Sequence, residues 1–408
     1  MVSKYDVFYV IATKGEIKAK DIAIELNKPD SEYKAIFNHI IKLDSEGYIK
    51  RDGATKVVHN EKAKTLFKLI SFCIGNGMNY NLMFKKEMLT FIQKAAKNEF
   101  FTINEISIHP QTFKLYTSAL AKYGLLLVLS RKPLKCKLLR HHFLVELMNF
   151  FKIKIRFYEP KRRELTKEIE KELKVYKKNL KISPITLNEL ENKEKIGFVY
   201  SSLSLEGNPL TLPETQKLIS QDIVPKKYKL TDIQEVTNYK RALDLMASEA
   251  NRGIKLDILL ILSYHRIAMS NALGAGEIRK QNVVIRLNPA FKTCDWQEIP
   301  AKLNELIKKY NKFESKKGSV KETIRFAAFF HNEFQRIHPF IDGNSRTSRL
   351  LMLHILRSHS IPMMELPLGY FDLYLDLTKR SRKRDDEALR YLLEEIILMN
   401  IKAINRAF

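Results

Sequence analysis

The sequence predicts a mainly α protein: a helical C-terminal half interrupted by one small β-hairpin, preceded by two modules that end in hairpins. Three observations carry this reading. Chain-breaking residues are scarce, with Gly 14 and Pro 13 in 408 residues. That is about 7% against a usual share near 12%, which favours long helices over a many-turned β fold. Segments between residues 183 and 408 repeat apolar side chains at the helical period. The balance of 45% hydrophobic and 29% charged residues is that of a chain with a core, which excludes disorder throughout.

Residues 1–62 form the first module. Lys18–Leu26 reads as a helix that stops near Asn27-Lys28-Pro29. Ser31–Glu46 reads as a second, with Ile36, Ile40, Ile41 and Leu43 as its apolar stripe and Gly47 as its C-terminal stop. Tyr48–Gly53 and Thr55–His59 then flank an Asp-Gly hairpin signal. Helix, turn, helix, hairpin is the layout of a winged helix, whose second helix can enter a DNA major groove. Such modules also dock proteins, so DNA binding does not follow from the layout.

Residues 63–150 repeat this layout more weakly as a second winged-helix-like module. Glu99–Ile108 and Thr112–Tyr123 are its expected paired helices. Gly124, the apolar Leu125–Leu129 and the run Arg131-Lys132-Pro133-Leu134-Lys135-Cys136-Lys137 follow. That run suits a wing on phosphates, or, more commonly, a hairpin edge guarded by lysines. Residues 151–182 alternate charge signs without a breaker after Pro160, as an exposed charged linker helix does. In residues 183–408, Glu235–Ala247, Leu256–Ser270, Pro300–Asn311, Val320–Arg336, Arg346–Ser358 and Asp386–Ile404 carry helical stripes. Gly274–Leu287 breaks them, its alternation suiting an extended hairpin.

The net charge is +25, spread as excesses of +10, +6 and +9 over residues 1–150, 151–200 and 201–408. It nominates no single DNA-binding domain and favours acidic partners in general, nucleotides included. Cys73, Cys136 and Cys294 lie far apart, with neither a metal-knuckle spacing nor a disulfide framework. Apolar runs such as Leu125–Leu129 and Ile258–Leu262 fall far short of the roughly 20 residues of a membrane span. The expectation is a cytoplasmic protein with no membrane partner.

Chemistry gathers in one loop. Ser319 and Glu322 form a capping-box pattern opening a helix with Phe326, Phe330, Phe334 and Ile337 on one face. The pattern stops at His338-Pro339, and a new helix is expected near Arg346. Between them, Gly343 and Asn344 tolerate left-handed backbone, so that successive N–H groups turn inward as an anion cradle. The following helix N-terminus adds partial positive charge. Arg346 and Arg349, three apart, can grip phosphate oxygens; Asp342 offers a hard oxygen for Mg²⁺; His338 is the natural base for a hydroxyl. Each piece alone is usually structural, but here they fall within twelve residues. His331 reads as packing or surface, His141-His142 and His265 belong to no such constellation, and Trp296 stands alone.

The segment HPFIDGNSRTSR resembles the signature of the Fic (filamentation induced by cAMP) family, HPFxxGNGRxxR. It matches at His338, Pro339, Phe340, Gly343, Asn344, Arg346 and Arg349, with the family's acidic residue at Asp342. Ser345 stands where a second glycine is usual; it is small, and its hydroxyl can cap the next helix. Phe198–Leu210 resembles the family's inhibitory segment, (S/T)xxxE(G/N), through Ser202, Glu206 and Gly207. Gly274–Ile285 resembles the flap that aligns a target by strand addition, here through Gly276, Glu277, Ile278, Arg279, Val283 and Val284. The resemblance covers roughly residues 190–400, within a domain spanning 183–408.

This resemblance implies a protein adenylyltransferase that moves AMP from ATP to a Ser, Thr or Tyr hydroxyl of a target protein. His338 would take the proton and Asp342 would hold Mg²⁺. Gly343, Asn344, Ser345 and Arg346 would bind the phosphates, with Arg349 on the γ-phosphate. Glu206 would inhibit by pairing with Arg349, or would help remove AMP. A homodimer and DNA binding through the N-terminal modules stay open. The alternative is a winged-helix DNA-binding regulator whose Fic domain senses a nucleotide or turns over slowly. Transfer of phosphate or another nucleotide is a third reading.

Overall fold

The computed structural model describes residues 2–159, 162–285, 288, 290–316, 318–362, 365–381 and 383–407, with the side chains of residues 30 and 184–188 left aside. The chain divides into two units, Met1–Glu159 and Pro160–Phe408.

The first unit opens with α1 (Lys4–Lys14), which the periodicity above does not anticipate. Ser3 and Asp6 cap it reciprocally, and it buries Val7, Phe8 and Ile11. Strand β1 (Glu16–Ile17) leads to α2 (Ala19–Glu25) and α3 (Tyr33–Ser45). Gly47, at φ +77°, ends α3, with the Tyr48 N–H reaching back to the Leu43 carbonyl. Strands β2 (Ile49–Asp52) and β3 (Ala54–Val57) meet at Gly53. β3 lies between β1 and β2 in an antiparallel sheet, so the expected hairpin gains a third strand.

Helices α4 (Glu61–Gly75), α5 (Tyr80–Met83) and α6 (Lys86–Ala96) follow. The helix expected over Glu99–Ile108 shrinks to α7 (Ile103–Ile106). Phe101 is held in a bridge with Cys136, and Ser107 turns left-handed at φ +55°, which leaves room for a single turn. α8 (Pro110–Lys122) starts with proline at its first position, and Gly124 closes it. β4 (Leu126–Arg131) and β5 (Leu134–Leu138) pair antiparallel around Lys132-Pro133, with Arg131, Lys132 and Lys135 exposed. α9 (His142–Phe150) completes the unit.

The second unit is helical throughout: α10 (Thr166–Ile182), α11 (Pro184–Ser204), α12 (Leu212–Gln221), α13 (Leu230–Asn251), α14 (Ile258–Ala268), α15 (Ile299–Glu314), α16 (Val320–Ile337), α17 (Asn344–Ser358), α18 (Phe371–Leu377) and α19 (Asp386–Asn405). α16 and α17 are the central pair, with α13 and α14 against α17 and α15 and α19 against α16. Phe330, Phe334, Leu350, Leu351, Tyr239 and Tyr264 are buried between them. α10 is not the exposed linker its charges suggest. Ile169, Leu173 and Tyr176 are buried on one face, and the helix packs on α19. The α19 residue Glu394, paired with buried Arg390, accepts the Leu165 N–H at 2.8 Å and so ties down the start of α10. Charge alternation marked the outer face of α10 and masked this inner stripe.

The expected hairpin beyond α14 is an extended excursion without a backbone ladder among the described residues. Side chains hold its limbs instead: Thr293 donates to the Val283 carbonyl at 3.1 Å, and Asn282 to Asp295 at 2.9 Å. Arg286 and Leu287, the end of the stretch expected to be extended, lie outside the described residues.

Candidate functional site

The site is the turn between α16 and α17. The Ser319/Glu322 capping box forms as expected and starts α16. The helix stops at His338, whose left-handed backbone (φ +52°) sends its N–H back to the Phe334 carbonyl. α17 starts at Asn344, two residues earlier than expected, because left-handed Gly343 (φ +79°) serves as its N-cap. Ser345 is therefore inside the first turn and cannot be the cap.

His338 is half-buried, and its Nδ1 faces the Gln335 carbonyl at 3.1 Å. A carbonyl only accepts, so Nδ1 carries the hydrogen and Nε2 is left as the basic nitrogen. Burial lowers its pKa to about 4, and the nearby Arg279 pushes the same way, so the ring is neutral at pH 7. Asp342 presents a carboxylate that is 70% exposed. One oxygen accepts the Gly343 N–H at 2.6 Å, and the other pairs with Arg346 at 2.9 Å. A hard, exposed carboxylate beside a helix N-terminus suits a magnesium ion carried in with phosphates.

Two expectations about the cradle change. The Gly343 N–H is turned onto Asp342 rather than left open. The Asn344 amide faces inward, accepting the Phe340 N–H at 3.0 Å and donating to the Phe340 carbonyl at 2.8 Å, so it staples the loop shut. Phe340 is fully buried, stacked on His265 with ring centroids 3.5 Å apart.

Both arginines are buried and paired with carboxylates. Arg349 donates through Nη2 to Glu206 Oε1 at 3.0 Å, and through Nε to Ser202 Oγ at 2.6 Å. Glu206 Oε2 also accepts Lys379 Nζ at 3.0 Å. Burial alone would raise the Glu206 carboxyl, but Arg349 and Lys379 outweigh it and hold the pKa at about 2. Ser202, Glu206 and Gly207 thus come to the site, with Ser202 also donating to Tyr239 at 2.8 Å. Arg346 pairs with Glu235 Oε1 and with Asp342, and its Nε is buried with no hydrogen-bond partner among the described residues.

The flap residues divide. Glu277 and Val284 are exposed, and Ile278 and Val283 are half-buried. Gly276 is buried at φ +80°, donating its N–H to His265 at 2.8 Å. Arg279 does not face outward. It is 2% exposed, and its Nε donates to the His338 carbonyl at 2.7 Å, its N–H to the Pro339 carbonyl at 2.8 Å and its Nη2 to the Cys294 carbonyl at 2.7 Å. A cation whose donors are spent on backbone acceptors is a strut.

Several working residues escape sequence reasoning. His265 bridges the Gly276 N–H and the Asp342 carbonyl, the latter at 2.9 Å. Burial lowers its pKa to about 4. Glu235, Lys379 and Tyr239 join through pairings far apart in the chain, for which no local signal exists. His331, read as packing or surface, is fully buried and bonded to Tyr374 at 2.7 Å.

Residues 255–356 match the family model described as the Fic/DOC family. The protein adenylyltransferase Fic of Drosophila erecta is 27% identical over 192 residues, covering 46% of this chain and 37% of its own length. That of Drosophila ananassae is 24% identical over 208 residues, covering 50% and 40%. The chain therefore spans less than half the length of these curated relatives. A Fic domain containing signaling protein from Bacteroides thetaiotaomicron shares the fold at a TM-score of 0.53 and 23% identity, covering 59% of this chain and 96% of that one. Fic-1 from C. elegans does so at 0.51 and 17%, covering 90% and 97%. Residues 255–356 carry a Fic domain. Among the described residues, no helix is long and apolar enough to cross a membrane.

Proposed function

We propose that the protein transfers AMP from ATP to a protein hydroxyl, and that Glu206 represses the reaction. The observation that carries this is the neutral His338, its Nε2 unprotonated, set one turn ahead of two buried arginines at a helix N-terminus. The Drosophila relatives bear the name protein adenylyltransferase, which supports the choice of group.

His338 Nε2 takes the proton from the attacking hydroxyl as its oxygen bonds to the α-phosphorus. The bond from that phosphorus to the bridging oxygen breaks, and pyrophosphate leaves. Arg346 and the first-turn N–H groups of α17 face charge that grows on the phosphates. Asp342 would hold Mg²⁺, which neutralises phosphate charge when bound. Arg349 serves the γ-phosphate only after Glu206 leaves it, so the Glu206–Arg349 pair supports a reading in which Glu206 represses transfer. The exposed Glu277 and Val284 present the edge on which a target segment aligns. Full chain, wild type and Glu206→Gly, incubated with α-labelled and separately γ-labelled ATP tests this. Transfer of the α label alone, stronger for Glu206→Gly, supports it; transfer of the γ label moves the assignment to phosphotransfer.

A second reading concerns residues 1–150. The α3–β2–β3 succession and the exposed Arg131, Lys132 and Lys135 on the β4–β5 hairpin favour winged-helix modules that contact nucleic-acid phosphates. Duplex-DNA binding by the full chain that weakens steeply with salt would support it, and no binding at low salt would end it.

A further inference from the structure

The tripeptide Glu206-Gly207-Asn208 reaches both Arg346 and Arg349 of α17, and only one of these contacts is direct. Glu206 pairs with Arg349. Left-handed Gly207 (φ +94°) then turns the chain, and Asn208 Nδ2 donates to Glu235 Oε2 at 2.7 Å and to the Asp232 carbonyl at 3.0 Å. The other oxygen of Glu235 pairs with Arg346. Asn208 is also fastened to its own segment, its N–H donating to the Leu203 carbonyl at 3.1 Å and its Oδ1 accepting the Leu210 N–H at 3.1 Å. Asn208, Glu235 and Arg346 therefore form a continuous chain from the end of α11 to the phosphate site.

We propose that Asn208 and Glu235 are a second latch, through which anion binding at Arg346 loosens the repressing segment. The Arg346 side chain is 8% exposed, with one carboxylate on each terminal nitrogen and a buried, unpartnered Nε. A phosphate oxygen satisfies that donor and competes with Glu235 for the same cation. Glu235, no longer held by Arg346, loses its fixed position as acceptor for Asn208. Glu206 and Ser202 then hold the end of α11 on Arg349, and γ-phosphate competes with Glu206 there. The two contacts act on one segment, so they are coupled: breaking either lowers the cost of breaking the other. Asn208 and Glu235 are positioning residues, acting on the arginines and not on the reacting atoms. The inference takes from the adenylyl-transfer reading only the identity of the anion, the phosphates of ATP.

The test is MgATP affinity, measured calorimetrically on the full chain. The proteins are wild type, Asn208→Ala, Asn208→Asp, Glu206→Gly and Glu206→Gly/Asn208→Ala, with hydrogen exchange across residues 190–206 as the second readout. Asn208→Asp keeps the shape of Asn208 and removes its donor, so a packing defect is separated from a lost latch. Both single Asn208 variants are expected to bind roughly tenfold more tightly, the scale of one hydrogen bond to a charged group. Both should exchange faster in residues 190–206. In the Glu206→Gly background Asn208→Ala is expected to add less than about twofold, because the segment is already released. Wild-type affinity in both single variants, an equal fold-change in both backgrounds, or no ATP binding by any protein would each overturn the latch. If affinities follow the expectation and no variant transfers adenylate, the latch stands and the reaction reading fails. If Glu206→Gly transfers adenylate while the Asn208 variants bind like wild type, the reverse holds.

Discussion

The charge on Glu206 can be removed without altering its shape. In Glu206→Gln the side chain can still accept from Arg349, but the attraction to two cations is gone. The wild-type carboxyl sits at about 2 against an ordinary 4.5. At roughly 1.4 kcal/mol per pH unit, that difference contributes about 3 kcal/mol to the closed arrangement near pH 7. The side chain is 18% exposed, so solvent screening leaves most of it. The folded pKa is depressed, so the contribution is complete above pH 4.5 and is lost as pH falls from there towards 2. About 1 kcal/mol is gone by pH 4 and about 2 kcal/mol by pH 3. Hydrogen exchange of the last turn of α11, corrected for intrinsic rates, measures the opening. Wild type should be protected roughly a hundredfold more than Glu206→Gln at pH 7, with the gap shrinking as the carboxyl titrates. A gap that stays constant from pH 7 to pH 3 would refute the electrostatic account and leave a packing effect in its place.

Further predictions follow from the loop and its struts. Gly343→Ala forces a β-carbon into a left-handed position, 2.7 Å from the Met269 side chain and 3.0 Å from His265 Nε2. A left-handed non-glycine residue costs roughly 1–2 kcal/mol, and calorimetry should show ATP affinity falling more than global stability does. Arg279→Met leaves the His338 and Cys294 carbonyls without their side-chain donor, while the backbone bond to Pro339 survives. It should lower the melting temperature by several degrees and raise exchange across residues 276–295, at roughly 1–3 kcal/mol for a buried acceptor left unsatisfied. His265, His331, His338 and His354 all sit at about 4, each lowered first by burial. Neutral buried imidazoles stabilise the fold fully above pH 6.5, so the melting temperature should hold there and fall from pH 6.5 towards 4. Replacing His331 by Gln should flatten part of that fall.

The part of the site that was legible in the sequence is the part that is local. His338, Asp342, Gly343, Arg346 and Arg349 lie on one turn and the helix it opens, and a capping box and a His-Pro stop delimit that turn. What was hidden depends on the fold returning distant residues. His265 meets Asp342 across 77 positions, Asn208 meets Glu235 across 27, and Glu235 meets Arg346 across 111. Arg279 falls among the flap residues by resemblance alone, while the C-terminus of α16 offers carbonyls that only a buried donor satisfies. The same limit explains α10. Its charges are what a solvent-facing helix shows, and its inner stripe is recognisable only once α19 lies against it. α1 shows no clear helical stripe, because its apolar residues surround much of the helix.

The most direct measurement is the intact mass of Glu206→Gly after incubation with ATP, Mg²⁺ and a soluble cell extract, beside Glu206→Gly/His338→Ala under the same conditions. Adenylate on the first protein or on an extract protein, and none with the second while ATP binding survives, is what the account predicts. Adenylate that appears without His338, or an adduct with the mass of phosphate, would contradict it.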